Sequence, residues 1–320
     1  MAQSPEHASA VGGRPNGEER TGEVAVGVDL GLSVTDAVML RPGEACTEPA
    51  HVRFDTAGRG PAQVLQAALD ALGSAAAGTR AIGVTGGRSA SLAPGRGPSS
   101  DAVAVVVGEP EAIGRGGLHL AGLRRALVVS CGTGTAMIAA DADVDATHCY
   151  VHASGTAVGG GTLQALGGLL LGSRDAHAIA ALAAAGDAGL GDTTLGEVLG
   201  GGLGTLPARA TAVSLGRLAE HAREVRREDL AAGLVTMVAQ TIALIALNAA
   251  RAYELPAVVM VGRIAELAPV RAMMREVFRV YGVSGMLSLP PGAAYATALG
   301  AALAVTEATD VALDGPRMRP

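Results

Sequence analysis

The residues best suited to chemistry surround a short turn early in the chain. Asp29 follows the apolar run 24–28, and a second apolar run begins a few residues later. Two such runs with a glycine-containing turn between them predict a β-hairpin. Gly31 lets backbone N–H groups approach a ligand closely, while Ser33 and Thr35 add hydroxyl donors. A carboxylate beside this turn suits a phosphate chain with its Mg²⁺, and an ordinary hairpin with an exposed polar turn is the alternative.

One later cluster of glycine and threonine repeats this arrangement, and another precedes a predicted helix. The apolar run 126–130 leads into Gly132-Thr133-Gly134-Thr135, and a second strand is predicted to follow it. A third cluster, residues 154–162, precedes a predicted helix at 163–171, whose N-terminus would offer unpaired N–H groups and a positive dipole end to an anion. Because the strand–turn–strand arrangement recurs, we expect two related half-domains that face one cleft.

The remaining chain alternates between strand and helix patterns, which predicts an α/β fold. Short apolar runs predict strands, and apolar residues at helical spacing predict helices. Residues 1–22 are polar and are predicted to form a disordered leader. Strands are predicted at 51–54, 80–84, 102–107 and 257–261, and helices at 61–76, 109–121, 175–186, 229–253, 265–281 and 293–304.

Composition excludes several classes of protein. The 320 residues carry a net charge of −6 without a basic stripe, so nucleic-acid binding is not expected. The three cysteines have no metal or redox spacing, and no signal peptide pattern precedes them, which favours the cytoplasm. The most apolar late stretch, 241–262, is interrupted by charged residues and Pro256, so it predicts a buried helix and strand rather than a membrane span.

The glycine and threonine clusters, in this order, resemble the ATP-dependent kinase superfamily that shares its fold with actin, hexokinase and the heat-shock chaperone ATPase. Within it, residues 24–304 resemble the type II pantothenate kinases. The segments that carry the resemblance are 27–31, 84–87, 108–112, 130–135, 155–162, 261–262 and 292–301. The resemblance implies two ribonuclease H-like domains around a nucleotide cleft, the first at 23–140 and the second at 141–305, with a tail at 306–320.

The resemblance also assigns roles to individual residues. Asp29 would organise Mg²⁺ and its water, and Glu109 would be the base that accepts the proton of the acceptor hydroxyl, with Glu111 as the second candidate. The residues implied to bind ATP are Gly31, Ser33 and Thr35 in the first turn, Gly132, Thr133, Gly134 and Thr135 in the second, and Gly160, Gly161, Thr162 and Gly262 beside the nucleotide. The residues implied to bind the acceptor are His152, Gly155 and Thr156.

The implied activity is ATP- and Mg²⁺-dependent phosphorylation of pantothenate to 4'-phosphopantothenate, the first step of coenzyme A biosynthesis. The implied protein is a cytoplasmic homodimer with an acyl-CoA as feedback ligand and no membrane or nucleic-acid partner. The long helix at 229–253 is the candidate dimer contact, and a core helix within one subunit is the alternative.

Some positions depart from the family pattern. Asp36 stands where the family commonly carries a lysine, and an anion there would weaken ATP binding unless another cation compensates. His152 replaces an arginine, while Gly108 and Pro110 replace the aspartate and phenylalanine beside the base. Two alternatives therefore stay open: a kinase for a different small-molecule alcohol, and a nucleotide- or acyl-CoA-binding regulatory protein with little turnover.

Overall fold

The computed structural model describes residues 24–31, 34–41, 49–56, 58–77, 79–92, 102–144, 149–221 and 224–314. The leader predicted at 1–22 and the predicted ligand Ser33 lie outside these ranges. The strands are β1 Ala25–Leu30, β2 Val34–Leu40, β3 Ala50–Asp55, β4 Ala81–Thr85, β5 Val103–Val106, β6 Arg125–Cys131, β7 Thr135–Asp141, β8 Tyr150–Thr156, β9 Thr193–Thr194, β10 Thr211–Val213, β11 Val258–Val261 and β12 Leu287–Ser288. The helices are α1 Pro61–Leu72, α2 Ser74–Ala77, α3 Glu109–Ala121, α4 Gly160–Leu171, α5 Ala176–Ala184, α6 Leu195–Leu199, α7 Leu218–His221, α8 Arg227–Ala252, α9 Ala268–Val280 and α10 Ala296–Asp314.

The two large sheets have the same topology. The first has the strand order β3-β2-β1-β4-β5, and the second, taken in the same direction, has the order β8-β7-β6-β11-β12. In each sheet the first three strands are antiparallel and the last two join in parallel. The predicted α/β class is confirmed, and each sheet contains one of the two predicted turn hairpins.

Each sheet has its own core on its outer side. Val26, Val28 and Leu30 of β1 face α1, since successive side chains of a strand point to opposite faces. On the second sheet, Leu127 and Val129 of β6 belong to a larger core with α4, α5, α8 and α9. Burying these aliphatic side chains stabilises each half by about 25 cal/mol for each Å² of apolar surface removed from water.

Helices α3 and α10 lie between the two sheets. Ile113 and Leu118 of α3 pack against the second sheet, whereas Ala298, Leu299 and Ala302 of α10 pack against the first. Each helix therefore follows one sheet in sequence and packs on the other.

The two helices approach each other through their backbones. A Cβ atom on Gly116 would overlap the carbonyl oxygen of Ala296, and one on Gly300 would overlap the carbonyl oxygen of Ala112. Such close packing requires glycine on both helices. The crossing ties the two halves of the molecule together at this point.

Helix α8 is long and apolar enough to cross a membrane by length and composition. Of its most apolar window, however, 67% is buried inside the fold, and core helices of globular proteins pass the same test. The structure thus places α8 in the core of the second half, and its predicted role in a dimer contact stays a prediction.

Three details differ from the predicted organisation. The hairpin of β6 and β7, which the predicted boundary after residue 140 assigns to the first domain, is hydrogen-bonded into the second sheet. Helix α10 continues to Asp314, through part of the tail predicted at 306–320. The segment 192–207, for which no strand or helix is predicted, contains β9 and α6, because Thr194 and Glu197 form a capping box that starts a short helix there.

Candidate functional site

A row of four side chains crosses the first sheet on the side that faces α10. Thr85, Asp29, Asp36 and Arg53 are consecutive register partners on β4, β1, β2 and β3. Direct partners on neighbouring strands point to the same face of a sheet. The row therefore lies on the inner side of the sheet, opposite the core around α1.

Asp29 is a partly buried carboxylate in the middle of this row. Burial is the largest cause that raises its pKa to about 7, and the charges of Asp36 and Glu109 raise this pKa further, while Arg263 lowers it. These three charges come from β2, from the start of α3 and from the turn after β11. Charged side chains from both halves of the molecule therefore act on the Asp29 carboxylate.

Asp29 is also approached closely by backbone. Gly86 has a φ of +90°, and a Cβ atom there would overlap Oδ1 of Asp29. A left-handed conformation and this contact both require glycine. The sequence motif at 84–87 thus has a definite structural role, which is to leave room for the carboxylate.

The surroundings of Asp29 fit a Mg²⁺ ion that is held mainly by substrate phosphates and water, with one carboxylate from the protein. In the part of the chain that the structure describes, no group of three His, Cys, Asp or Glu side chains could hold a metal by itself. Magnesium is usually held by one or two carboxylates, with waters and substrate phosphates filling the other positions. Asp29 could serve as that carboxylate.

The turn between β6 and β7 offers a second anion site. Cys131 pairs with Thr135, which leaves residues 132–134 as the turn. Among the described residues, no backbone carbonyl accepts a hydrogen bond from the N–H groups of Gly132, Thr133 or Gly134. Successive free N–H groups in a turn form a concavity that binds phosphate.

The N-terminus of α4 supports this turn. The N–H groups of Gly160 and Gly161 donate to the carbonyl oxygens of Gly132 and Thr133, each at 2.8 Å. A Cβ atom on Gly159 would lie only 2.6 Å from the Thr133 oxygen. The expectation that these first N–H groups of α4 are free for an anion is therefore wrong, because they hold the neighbouring turn in place.

In the first turn, Gly31 lies where the sequence predicts and Thr35 does not. The N–H of Gly31 donates to the Asp29 carbonyl at 3.1 Å. Thr35 is fully buried, and its partners across the sheet are Leu30 and Phe54, on the side of α1. Because Asp36 faces the cleft, its neighbour on the strand must face away, so the structure does not bring Thr35 to the site.

Three other predicted hydroxyl groups are already hydrogen-bonded to backbone. Thr135 donates to the carbonyl of Val158 at 2.9 Å, Thr162 donates to the carbonyl of Ala157 at 3.2 Å, and Thr156 accepts from the N–H of Val158 at 3.1 Å. They shape the loop before α4. Their hydroxyl groups are structural in this arrangement.

The two acidic candidates for the base differ in their partners. Glu111 is paired with Arg115 one helical turn later, with 2.8 Å between Oε1 and Nε. Glu109 is the first residue of α3 and exposed, and its charge acts on Asp29. Among the described residues, no ion pair engages Glu109. The geometry favours Glu109 over Glu111 as the base.

Asp36 has its own cation. Its Oδ1 lies 2.8 Å from Nε of Arg53 and 2.8 Å from Nε2 of His51. Arg53 also donates from Nη2 to the carbonyl of Ala294, just before α10, at 3.4 Å, and the His51 ring packs on Tyr295 with 4.7 Å between centroids. The negative charge of Asp36 is therefore offset by Arg53 within the protein. Comparing position 36 alone with the lysine common in the family does not reveal this partner.

The predicted acceptor residues lie at the end of β8, the edge strand of the second sheet. Thr156 pairs with Thr135 beside the second turn, and a bulge follows His152. His152 pairs with Ile138, whose side chain packs in the cluster formed with α3, so the exposed His152 shares a face with α3. Among the described residues, no contact joins His152 to Glu109.

Comparison with known proteins agrees with this architecture. The family model described as Fumble matches residues 125–284. The activator of the 2-hydroxyisocaproyl-CoA dehydratase from Clostridium difficile, solved with bound ADPNP, covers 93% of this chain and 99% of its own at 18% identity and a TM-score of 0.62. Component A of the (R)-2-hydroxyglutaryl-CoA dehydratase of Acidaminococcus fermentans covers 90% and 100% at 18% identity and a TM-score of 0.60.

A third solved structure is a ROK family glucokinase from Streptomyces griseus in complex with glucose and AMPPNP. It covers 88% of this chain and 98% of its own at 16% identity and a TM-score of 0.52. None of the curated proteins matches the chain. The predicted actin- and hexokinase-like fold of two domains is therefore confirmed.

The same comparisons correct the predicted assignment of residues 24–304 to the type II pantothenate kinases. The family match covers only residues 125–284. The solved structures that match over nearly the whole chain are dehydratase activators and a sugar kinase. As a description of the whole chain, that assignment is wrong, and the shared property is the ATPase fold.

Proposed function

Since this chain belongs to the Fumble family, we propose that it is an ATP-dependent kinase that phosphorylates the hydroxyl group of a small molecule. The observation that carries the proposal is the position of Asp29, which lies in the polar row on the inner side of the first sheet against the backbone of Gly86. The charge of Glu109, the candidate base, acts on this candidate metal ligand. The kinase-like ATPase fold supports it.

In the proposed reaction, Glu109 orients the acceptor hydroxyl and takes its proton as the oxygen attacks the γ-phosphorus. The bond from that phosphorus to the bridging oxygen breaks, and ADP leaves. The turn at 132–134 would hold phosphate oxygens through its N–H groups, and Asp29 would hold the metal. Bound Mg·ATP supplies the phosphoryl group and the positive charge that offsets the developing negative charge.

Pantothenate is the acceptor we propose to test first, because Fumble is also the family name of the type II pantothenate kinases. Pantothenate presents a primary hydroxyl to the base and a carboxylate to a cationic or hydrogen-bonding group. His152, exposed at the edge of the second sheet, would contact that carboxylate less strongly than an arginine would. Because of this weaker contact, other small-molecule alcohols should be assayed alongside pantothenate.

The test is ADP release from Mg·ATP by the wild type, Glu109→Gln and Glu111→Gln, each with pantothenate, with related alcohols and without acceptor. We expect acceptor-dependent ADP release that falls about 10²- to 10⁴-fold in Glu109→Gln and changes little in Glu111→Gln. If the two variants are equally active, Glu109 is not the base. ADP release with another alcohol alone would replace pantothenate.

The same assay addresses the alternative of a regulatory protein. Tight ATP binding without ADP release for any acceptor would favour that alternative over a kinase.

We also propose a homodimer, which light scattering at several protein concentrations tests directly. Adding an acyl-CoA to the assay tests the proposed feedback ligand, for which inhibition is the expected result.

A further inference from the structure

Arg263 occupies a position at which the parts of the second anion site meet. The residue before it, Gly262, has a φ of +90°, and a Cβ atom there would lie 2.6 Å from the carbonyl oxygen of Cys131. The residue after it is Ile264, and a Cβ atom added to Gly160 would lie 3.1 Å from its Cγ2. Arg263 is therefore seated where the β6–β7 turn and the start of α4 join.

This seat is fixed by backbone. The N–H of Gly262 donates to the carbonyl of Ala293 at 2.7 Å, which ties the turn after β11 to the segment before α10. A glycine at a positive φ cannot be replaced without strain, so the direction in which the chain leaves β11 is determined. Arg263 begins a short 3₁₀ turn, Arg263–Glu266.

The charge of Arg263 reaches the first sheet as well, because it acts on Asp29. In the part of the chain that the structure describes, Arg263 forms no salt bridge and no side-chain hydrogen bond. By contrast, Arg53 is engaged by Asp36 and by the carbonyl of Ala294.

The carboxylates around the cleft disfavour an anionic ligand, and a cation beside the ligand offsets their charge. Asp29, Asp36 and Glu109 bring three carboxylates to the cleft, and a nucleotide phosphate chain adds more negative charge. An arginine binds phosphate oxygens through two parallel hydrogen bonds and keeps its charge at all relevant pH values.

We infer that Arg263 binds the phosphate chain of the nucleotide beside the turn at 132–134. The inference rests on the proposed function, since it takes ATP as the ligand. It assigns to this chain's own Arg263 a contact with phosphate and not with the nucleoside. The contact should strengthen with the number of phosphate groups.

The experiment is calorimetric titration of the wild type, Arg263→Gln and Arg263→Lys with ATP, ADP and adenosine, with Mg²⁺ present. Arg275→Gln is the matched control, because Arg275 is an exposed arginine on α9 away from both turns. For Arg263→Gln we expect ATP affinity to fall about 10- to 100-fold, as for loss of a charged hydrogen bond. ADP should lose less, adenosine should bind unchanged, and Arg263→Lys should recover part of the loss.

Two results would overturn the inference and leave the proposed function intact. One is wild-type ATP affinity in Arg263→Gln. The other is an equal loss for ATP and adenosine, which would show a structural effect on the whole site, and the thermal unfolding temperature of each variant checks this directly. If the wild type binds neither ATP nor ADP, the proposed function fails, and the inference fails with it.

Discussion

Asp36 accepts a hydrogen bond from Nε of Arg53 at 2.8 Å, beside Asp29 on the inner side of the first sheet. Only 7% of the Asp36 surface is exposed, so water has little access to this carboxylate. The pair also joins β2 and β3 to the start of α10 through the carbonyl of Ala294. Breaking this pair of a buried carboxylate and an arginine should therefore change the free energy of unfolding measurably.

The first prediction concerns that pair. We expect Arg53→Gln to lower the free energy of unfolding by about 1–3 kcal/mol, because it leaves a buried carboxylate with His51 alone; the partial exposure of Arg53 keeps the loss below that of a fully buried pair. The double variant with Asp36→Asn should recover part of this loss. Urea unfolding measures both, and strictly additive losses would contradict the pairing.

The second prediction concerns Thr85, the fully buried end of the polar row. Its Oγ1 has no hydrogen-bond partner among the residues that the structure describes, and an unpaired buried hydroxyl costs free energy that valine of similar shape avoids. We therefore expect Thr85→Val to raise the free energy of unfolding by about 1 kcal/mol. Thermal or urea unfolding provides the measurement.

Thr79 is the matched control for Thr85. It is also buried, but its hydroxyl group donates to the carbonyl oxygens of Val24 and Ala81. We expect Thr79→Val to lose about 1 kcal/mol or more, since it leaves buried acceptors unpaired. Equal effects of the two changes would show that Thr85 has a partner after all.

The third prediction is a pH dependence caused by Asp29. Its pKa is raised from 3.8 to about 7 in the folded protein, so between these values the folded state holds a proton that the unfolded state has released. This contribution to stability is fully present below pH 3.8 and is lost as the pH rises through about 7. In metal-free, nucleotide-free buffer, Asp29→Asn should remove the loss.

Urea unfolding of the wild type and Asp29→Asn from pH 4 to pH 8 tests this. The difference between them should grow with pH and level off above about 7 at up to about 4 kcal/mol in favour of the variant. Parallel stability curves would rule out the raised pKa. A variant that is more stable and inactive is the usual result when a strained functional group is removed.

The fourth prediction concerns the crossing of α3 and α10. Alanine favours a helix over glycine by about 1 kcal/mol, but a Cβ atom on Gly300 would overlap the carbonyl oxygen of Ala112. We expect Gly300→Ala to destabilise the protein by about 1–3 kcal/mol or more. Gly285→Ala, where no atom lies within 4 Å of the added Cβ, should be nearly neutral, and similar losses at both positions would contradict this packing.

The local parts of the site could be predicted from the sequence. The hairpins around Asp29 and at 132–135 follow from apolar runs and glycine turns close in the chain. The error at Thr35 was avoidable, because adjacent residues on a strand face opposite sides and Asp36 already faces the cleft.

The remaining parts of the site depend on distant contacts. Arg53 meets the carbonyl of Ala294, 241 residues away, and Arg263 acts on Asp29 across the cleft. No local pattern contains these pairings. They follow from the register of β1, β2 and β3 and from the packing of α10 between the sheets.

The backbone contact of Gly116 and Gly300 also has a mechanical consequence. At these two glycines no side chain separates the helix backbones, and each helix packs on the sheet of the other half. We therefore expect the crossing to resist sliding of one half past the other more than rotation about the contact. Such a rotation would move the two phosphate turns farther than it moves the helices and would open or close the cleft with every strand and helix intact.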